Sequence, residues 1–200
     1  MAKTRKHRKE MTYCLDALEL YLADRPDVWI SGNDFLYYEK GNPKKVVSPN
    51  CYVVFGVERR NRDSYKVWEE GGKLPSVVFE FTSRKTRRED TTKKVPLYEQ
   101  VLRVPEYFQF DPTGDYLKPR LQGRRLVGDR YVTLELVEGR LHSEQLGLDL
   151  VMEGEQLRFY DPRRGVWLLS HEEHAQRAQA AEAEIARLRA ELDALRHQCG

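Results

Sequence analysis

Residues 76–110 read SVVFEFTSRKTRREDTTKKVPLYEQVLRVPEYFQF, and this stretch decides the fold. Residues 76–82 are rich in Val and Phe, which predicts a strand. A helix is predicted next, from Thr92 as its N-cap to about Leu102. Residues 106–110 predict another strand, which Asp111 closes. The stretch therefore predicts a strand, a helix and a second strand in that order.

Upstream, the sequence predicts one more helix and two more extended segments. Residues 11–24 place apolar side chains at steps of three and four, the period of an amphipathic helix. Residues 28–38, with turn residues at 31–33, and residues 46–57 are rich in Val, Tyr and Phe and predict strands. The predicted core order is therefore αβββαβ, in the α/β (α+β) fold class.

Downstream, two different patterns follow the core. Residues 116–169 contain short alternating runs separated by Gly-containing turns, which predicts an added β-meander that extends or covers the core sheet. Residues 171–197 carry a seam at alternating steps of four and three, which predicts a C-terminal coiled-coil helix of about three heptads. The seam is His174, Ala178, Ala181, Ile185, Leu188, Leu192 and Leu195. Such a helix would be stabilised by pairing with a second copy, giving a homodimer, or by packing on its own domain.

Composition bounds the class of protein. The 200 residues, 40% of them hydrophobic and 33% charged, are enough for one domain and an appendage. We expect a basic flexible arm over 1–10, a domain over 11–170 and the helix over 171–200. The arm either adds attraction to phosphate backbones or only improves solubility. Cys14, Cys51 and Cys199 have no CxxC spacing, so neither a disulfide framework nor a zinc site is indicated.

The location of the protein follows from its apolar segments. The longest apolar segment free of charged side chains, residues 46–57, is shorter than the roughly 20 residues that cross a bilayer. Asp16, Glu19 and Asp24 interrupt the region where a signal peptide would be apolar. We expect a cytoplasmic protein with no membrane partner. Gly-rich phosphate loops are absent from the sequence, so no nucleotide cofactor is implied.

Glu80 is the first candidate for chemistry. Strand alternation sends Val77, Phe79 and Phe81 to one face and Glu80 to the other, within the most hydrophobic strand of the chain. A buried carboxylate is usually paired, exposed at an edge or bound to a metal. The alternative is a salt bridge to one of the basic residues that follow within 84–88.

The second candidate is the run RKTRREDTTKK at residues 84–94, with six basic and two acidic residues. Asp90 and Lys94 are four apart, so they can share one helix face or first turn. A basic loop beside a buried acid is what a phosphodiester-cleaving site requires, because cations hold the backbone and a carboxylate holds the metal. A solvated surface is the alternative. The candidate DNA-binding residues are Arg84, Lys85, Arg87, Arg88 and Lys93.

Five motifs together resemble a known family. They are VSPNCYVVFGV at 47–57, FEFTS at 79–83, Asp90 with Lys94 and Tyr98, VPEYF at 104–108 and FDP at 110–112. In this order and spacing the chain resembles the Uma-two branch of restriction endonucleases, within the PD-(D/E)XK nuclease superfamily. The resemblance covers about residues 11–170. It implies a restriction-endonuclease-like core and a metal-dependent phosphodiesterase.

The resemblance also implies roles for individual residues. Position 50 and Glu80 would ligate Mg²⁺ or Mn²⁺, and a lysine would activate or orient the attacking water. Thr82 stands where the family usually has that lysine, and Lys94, in the following helix, matches it in this branch. Asp90 would orient Lys94 or Tyr98. The resemblance thus implies Asn50, Glu80 and Lys94 as the catalytic set.

The departure from the family pattern is Asn50, where the family has Asp. An amide oxygen can ligate a hard cation but lacks the negative charge, so metal affinity should fall. Glu39 or Asp34 in the preceding region would be a compensating acid. Three functions remain open: a divalent-metal-dependent DNA endonuclease, a nuclease fold that binds nucleic acid or protein without cutting, and a scaffold built around the coiled coil.

Overall fold

The chain divides into two units, Met1–Leu168 and Leu169–Gly200. The computed structural model describes residues 5–83 and 89–198. The first unit is a mixed α+β structure, as predicted. Its described elements are helix α1 (Arg5–Tyr21), strands β1 (Val28–Ser31), β2 (Phe35–Tyr37), β3 (Val46–Val47), β4 (Cys51–Phe55), β5 (Ser64–Lys66), β6 (Val77–Phe81), β7 (Glu106–Phe110), β8 (Leu121–Val127), β9 (Arg130–Leu134), β10 (Arg140–Ser143), β11 (Leu148–Glu153), β12 (Gln156–Asp161) and β13 (Val166–Trp167), and π-helical turns at Asp90–Lys94 and Leu97–Val101.

A six-stranded sheet forms the centre of the first unit, in the order β1-β4-β6-β7-β8-β9. The two central strands, β6 and β7, are parallel, and the helical turns lie between them in the chain. The other neighbours in this sheet pair antiparallel. Every residue of β6 and β7 is buried, which explains why both strands read as continuous apolar runs interrupted by single polar side chains.

Each face of the sheet has its own core. On one face Val77, Phe79 and Phe81 pack with α1 and with side chains from the sheet β10-β11-β12-β13. On the other face Val78 packs with Tyr98, from the second helical turn, and with Leu102, which directly follows that turn. Strand alternation therefore puts the side chain of Glu80 on the same face as those turns. The meander both extends the central sheet, through β8 and β9, and covers it, through β10–β13.

A small sheet of three strands, in the order β3-β2-β5, was not foreseen from the sequence. The predicted strand over 28–38 is two strands in two different sheets, β1 and β2. The predicted strand over 46–57 is also two strands, because Pro49 has no N–H to donate and its carbonyl accepts instead from the N–H of Asn33 at 2.8 Å.

The first helix begins at Arg5, whereas the sequence indicated a flexible arm up to residue 10. His7 and Glu10 are buried, and Glu10 accepts a hydrogen bond from the N–H of Leu157 at 3.0 Å. Lys6 pairs with Glu155 at 2.8 Å. These contacts with distant residues explain why a charged segment that looks solvated is an ordered helix.

The predicted helix over 92–102 also differs in detail. Helical structure begins before Thr92 and consists of two π-helical turns around Pro96. Proline cannot donate the usual backbone hydrogen bond, which is one cause of wider helical turns.

The second unit contains one long helix, α2 (His171–Gln198). Ser170 and Glu173 form a reciprocal capping box at its start: the Ser170 N–H donates to the Glu173 carboxylate at 2.8 Å, and the Glu173 N–H donates to the Ser170 hydroxyl at 3.2 Å. Among residues 5–83 and 89–198, no helix is long and apolar enough to cross a membrane.

Candidate active site

Glu80, near the end of β6, is held by two side chains from the helical turns. Its side chain is fully buried, and Lys94 Nζ lies 2.8 Å from its Oε1. The hydroxyl of Tyr98 donates to the same oxygen at 2.8 Å. Lys94 and Tyr98 are four residues apart in the chain, so one helical segment presents both to the carboxylate. Among the described residues, Lys94 is therefore a compensating cation of this buried acid.

Asn50, directly before β4, is the second residue of the site. Its Oδ1 accepts the backbone N–H of Phe81 at 2.8 Å, and its Nδ2 donates to Asn33 Oδ1 at 3.3 Å. In the antiparallel pairing of β4 with β6, Cys51 lies opposite Phe79. One more step of this register puts Asn50 opposite Glu80, on the same face.

The loop over 31–33 is shaped to let Asn33 reach Asn50. A Cβ at Gly32 would lie 2.0 Å from the carbonyl oxygen of Asn50, so no other residue type fits that close approach. Asn33 itself has φ of 59°, a left-handed conformation that asparagine tolerates better than most residues. Asn33 belongs to the site, although the sequence predicts only a turn at residues 31–33.

Thr82 stands two residues after Glu80, on the same side of the strand. Its N–H donates to the carbonyl of Phe110 at 2.7 Å, which continues the β6–β7 pairing. Its hydroxyl oxygen is buried and has no hydrogen-bond partner among the residues that the structure describes. Threonine is shorter than the lysine that the family pattern has at this position, and it carries no charge to pair with Glu80.

The neighbouring strands bring a cation that sequence reasoning missed. Gln109 is paired in register with Glu80 and is fully buried. Arg124 from β8 donates to Gln109 Oε1 at 2.5 Å and lies over the ring of Tyr107. No local pattern marks Arg124, because its place depends on the pairing of β7 with β8.

The two compensating acids that the sequence suggested have different surroundings. Asp34 is half-buried and its Oδ2 accepts from the hydroxyl of Tyr52 at 2.9 Å. Tyr52 lies two residues after Asn50, so Asp34 is beside the same strand. Glu39 is exposed in a loop of the small sheet and lies 4.0 Å from Lys45. Of the two acids, Asp34 is the one that contacts β4, the strand that directly follows Asn50.

Several predicted residues lie outside the described part of the chain. The structure does not describe the segment 84–88, which contains Arg84, Lys85, Arg87 and Arg88. The side chain of Asp90 is not described either. Lys93 is described and exposed. The predicted role of the basic run therefore stays a prediction.

The oxygen atoms of Glu80 and Asn50 are ligands of the kind that Mg²⁺ or Mn²⁺ binds, but only one of the two groups carries a negative charge. Hard divalent cations prefer oxygen ligands, and Glu80 and Asn50 provide a carboxylate and an amide oxygen from adjacent strands on one face. Glu80 already pairs with Lys94, and Asn50 already accepts one hydrogen bond. No group of three or more His, Cys, Asp or Glu side chains suited to a metal occurs within 5–83 and 89–198. The residues therefore fit a weakly bound ion.

Comparison with known proteins gives one family and a similar fold. The family model Uma2, described as putative restriction endonuclease, matches residues 1–156. Among solved structures, the chain is similar to the crystal structure of a putative nuclease belonging to DUF820 from Anabaena variabilis ATCC 29413. The TM-score is 0.54 at 10% sequence identity, over 73% of this chain and 76% of that one, which supports the fold alone. No curated protein matches the chain.

Proposed function

Because the chain belongs to the Uma2 family of putative restriction endonucleases, we propose that it is a divalent-metal-dependent endonuclease that hydrolyses phosphodiester bonds in DNA. The observation that carries the proposal is the contact of Glu80 with Lys94, on the same face as Asn50 and next to it. A carboxylate, an ammonium and an amide oxygen in one buried place are the groups that metal-assisted hydrolysis of a phosphodiester uses.

Mg²⁺ or Mn²⁺ bound by Glu80 and Asn50 would supply a water of lowered pKa and neutralise charge on the phosphate. Lys94 has a distinct part, because its ammonium carries three donors and is slightly exposed, at 11%. It holds Glu80, and its slightly exposed ammonium can contact a phosphate oxygen or the attacking water. Tyr98 fixes the carboxylate from the same side and is a positioning residue.

The substrate would be held by cations around this face. Arg124 is one described candidate, because it reaches the face through Gln109. Arg84, Lys85, Arg87, Arg88 and Lys93 stay candidates for contacts to the DNA backbone, where such residues add affinity that weakens with salt. The proposal includes a cytoplasmic location.

A second candidate function has a specific observation in its favour. Asn50 uses its oxygen for Phe81 and its NH₂ group for Asn33, and it has no charge to offer a cation. That arrangement supports a protein with a nuclease fold that binds nucleic acid or a protein partner without cutting. Salt-sensitive DNA binding with no turnover is its signature.

We also propose self-association through α2. Ile185, Leu188, Leu192 and Leu195 are each about half exposed and follow the spacing of a coiled-coil seam. A helix with such a seam is marginal alone in water and is stabilised when a second copy covers it. The partner proposed for α2 is therefore another copy of this chain.

One experiment separates the first two candidates. Plasmid and single-stranded DNA are incubated in Mg²⁺ and in Mn²⁺ with three purified forms: the natural protein, Asn50→Asp and Glu80→Ala. Cleavage by the natural protein that Glu80→Ala abolishes supports the endonuclease. Cleavage by Asn50→Asp alone supports the non-cutting protein. Cleavage that persists in Glu80→Ala contradicts the assignment of Glu80 as a catalytic residue, and it also contradicts the non-cutting protein.

A further inference from the structure

Asp34 is a half-buried acid that the proposed chemistry does not use. Its Oδ2 accepts the hydroxyl of Tyr52 at 2.9 Å. Its Oδ1 is buried and has no hydrogen-bond partner among the residues that the structure describes. Within the same part of the chain, Asp34 forms no ion pair. One oxygen of this carboxylate is therefore shielded from water and has no described partner.

The surroundings of Asp34 differ from those of three other acids whose side chains are buried. Each of the three is paired with a cation: Glu70 with Arg62, Glu80 with Lys94, and Glu106 with Arg125. Removing a carboxylate from water costs free energy unless the group is paired, hydrogen-bonded or bound to a metal. A ligand with positive charge would offset that cost at the buried oxygen of Asp34.

The loop that precedes Asp34 runs along the start of β4. A Cβ at Gly32 would clash with the carbonyl oxygen of Asn50, so the two backbones are in close contact. The next residue, Asn33, accepts a hydrogen bond from the Nδ2 of Asn50 at 3.3 Å. Asp34 then contacts Tyr52, which lies two residues after Asn50. Alternation along β4 puts the side chains of Asn50 and Tyr52 on one face of the sheet.

The same face carries Glu80 and a residue that holds it. Tyr52 is paired in register with Val78, two residues before Glu80. Tyr52 also belongs to the same core cluster as Tyr98, whose hydroxyl donates to Glu80 at 2.8 Å. The carboxylate of Asp34 therefore contacts β4 from the side of the sheet on which both candidate metal ligands lie.

We propose that Asp34 is a second carboxylate ligand of the divalent ion assigned to Glu80 and Asn50. Mg²⁺ and Mn²⁺ take oxygen ligands, and the number of charged ligands tunes the affinity of such a site. Asp34 supplies the negative charge that Asn50 lacks, from the residue that directly precedes β2. The choice of a divalent ion rests on the proposed function, whereas the choice of Asp34 rests on its buried oxygen and on its contact with β4.

The test is calorimetric titration of Mn²⁺ into the full chain without DNA, so that cleavage plays no part. Asp34→Asn should lower the Mn²⁺ affinity by on the order of tenfold, because one charged ligand is lost. The amide oxygen of the variant can still accept the hydroxyl of Tyr52. Asp24→Asn is the matched control: Asp24 is exposed in the turn after α1, and the loss of its charge should leave the Mn²⁺ affinity unchanged.

A double variant separates a metal ligand from a residue that only supports the fold. Asp34→Asn combined with Asn50→Asp moves the negative charge from one position to the other. The Mn²⁺ affinity should return to within about threefold of that of the natural protein. A loss caused by local unfolding would not be recovered, since Asn50→Asp leaves the contacts of position 34 unchanged. Circular dichroism of each variant checks that it is folded.

Three outcomes overturn the inference and leave the proposed function standing. The first is equal Mn²⁺ affinity of the natural protein and Asp34→Asn. The second is an equal loss of affinity in Asp24→Asn and Asp34→Asn, and the third is a loss in Asp34→Asn that the double variant does not recover. A natural protein that binds no Mn²⁺ overturns both the inference and the proposed function, and the cleavage assay with Glu80→Ala reports on the proposed function independently.

Discussion

The side-chain oxygen of Asn50 accepts the backbone N–H of Phe81 at 2.8 Å, and Phe81 directly follows Glu80. This hydrogen bond ties the start of β4 to the end of β6 and fixes the distance between the two candidate metal ligands. An aspartate at position 50 would accept the same hydrogen bond. The position thus accommodates a carboxylate without loss of its link to Phe81.

Asn50→Asp should strengthen metal binding. The carboxylate keeps the bond from Phe81, and the amide of Asn33 can rotate so that its NH₂ group donates to the new oxygen. We expect Mn²⁺ affinity to rise by on the order of tenfold, because a second negative ligand is added to the site. Calorimetric titration of Mn²⁺ into the natural and substituted proteins measures this.

Asn61→Asp provides the charge-matched control for that titration, since Asn61 is exposed and distant in sequence from both candidate ligands. It adds the same charge to the protein as a whole. Equal gains in Mn²⁺ affinity from Asn61→Asp and Asn50→Asp would refute the assignment of position 50 as a ligand.

Lys94→Met should destabilise the fold strongly. It removes the cation 2.8 Å from a carboxylate that is fully buried, and removing one partner of a buried ion pair typically costs about 3–5 kcal/mol. Adding Glu80→Gln should recover part of that loss, because the uncompensated charge disappears while the Tyr98 hydrogen bond can remain. Urea unfolding of the two single variants and the double variant gives the coupling energy. If the losses in the free energy of unfolding from the two single substitutions simply add in the double variant, the interaction between Lys94 and Glu80 does not stabilise the fold.

The sequence was sufficient where periodicity alone determines the outcome. Alternation in β6 correctly separates Phe79 and Phe81 from Glu80, and the mixed α+β class follows from the order of the apolar runs. It was insufficient where distant parts of the chain meet. The loop of Asn33 reaches Asn50 only because Gly32 permits a close approach, which no local pattern predicts.

Asp111 gives a prediction for pH. Burial alone would raise the pKa of this carboxyl, but the N–H groups of Tyr116, Leu117 and Thr113 donate to it and hold its pKa below the usual value. A lowered pKa in the folded state means that Asp111 contributes stability above its unfolded pKa of about 3.9 and loses that contribution as pH falls through its folded pKa.

The free energy of unfolding of Asp111→Asn should therefore be lower than that of the natural protein by about 1–3 kcal/mol at pH 7. The difference should be constant above about pH 5 and shrink below about pH 4. Urea unfolding at a series of pH values measures it. A difference that grows on acidification would contradict the direction of the pKa shift.

The long helix gives a prediction for assembly. Leu188→Glu or Leu192→Glu should convert a dimer into a monomer, because a buried unpaired charge in a coiled-coil seam is costly. Ala190→Glu places the same side chain on an exposed position off the seam and should leave the dimer intact. Sedimentation equilibrium gives the masses. Sedimentation of the natural protein as a monomer would contradict self-association through α2.

The first helix and the small sheet show why composition misleads. Residues 5–10 are mostly charged, which favours a solvated arm, yet Glu10 is buried where it meets the N–H of Leu157. In the same way, the segment 28–38 has uniform strand propensity, but its two halves join different sheets. Both outcomes depend on tertiary partners. The partner of Glu10 lies more than a hundred residues away in the chain. Strands β1 and β2 are separated by a short turn, but each pairs with strands of a different sheet.

The most direct test of the central claim is the nicking of supercoiled plasmid in Mg²⁺ or Mn²⁺ by the natural protein and by Glu80→Gln, purified in the same way. Gln is close to Glu in shape and can still accept the Tyr98 hydrogen bond, and circular dichroism of both proteins checks that the variant is folded despite the loss of the Lys94 pair. The account predicts nicking that needs the divalent ion, stops with EDTA and is lost in Glu80→Gln. Equal nicking by both proteins would contradict it.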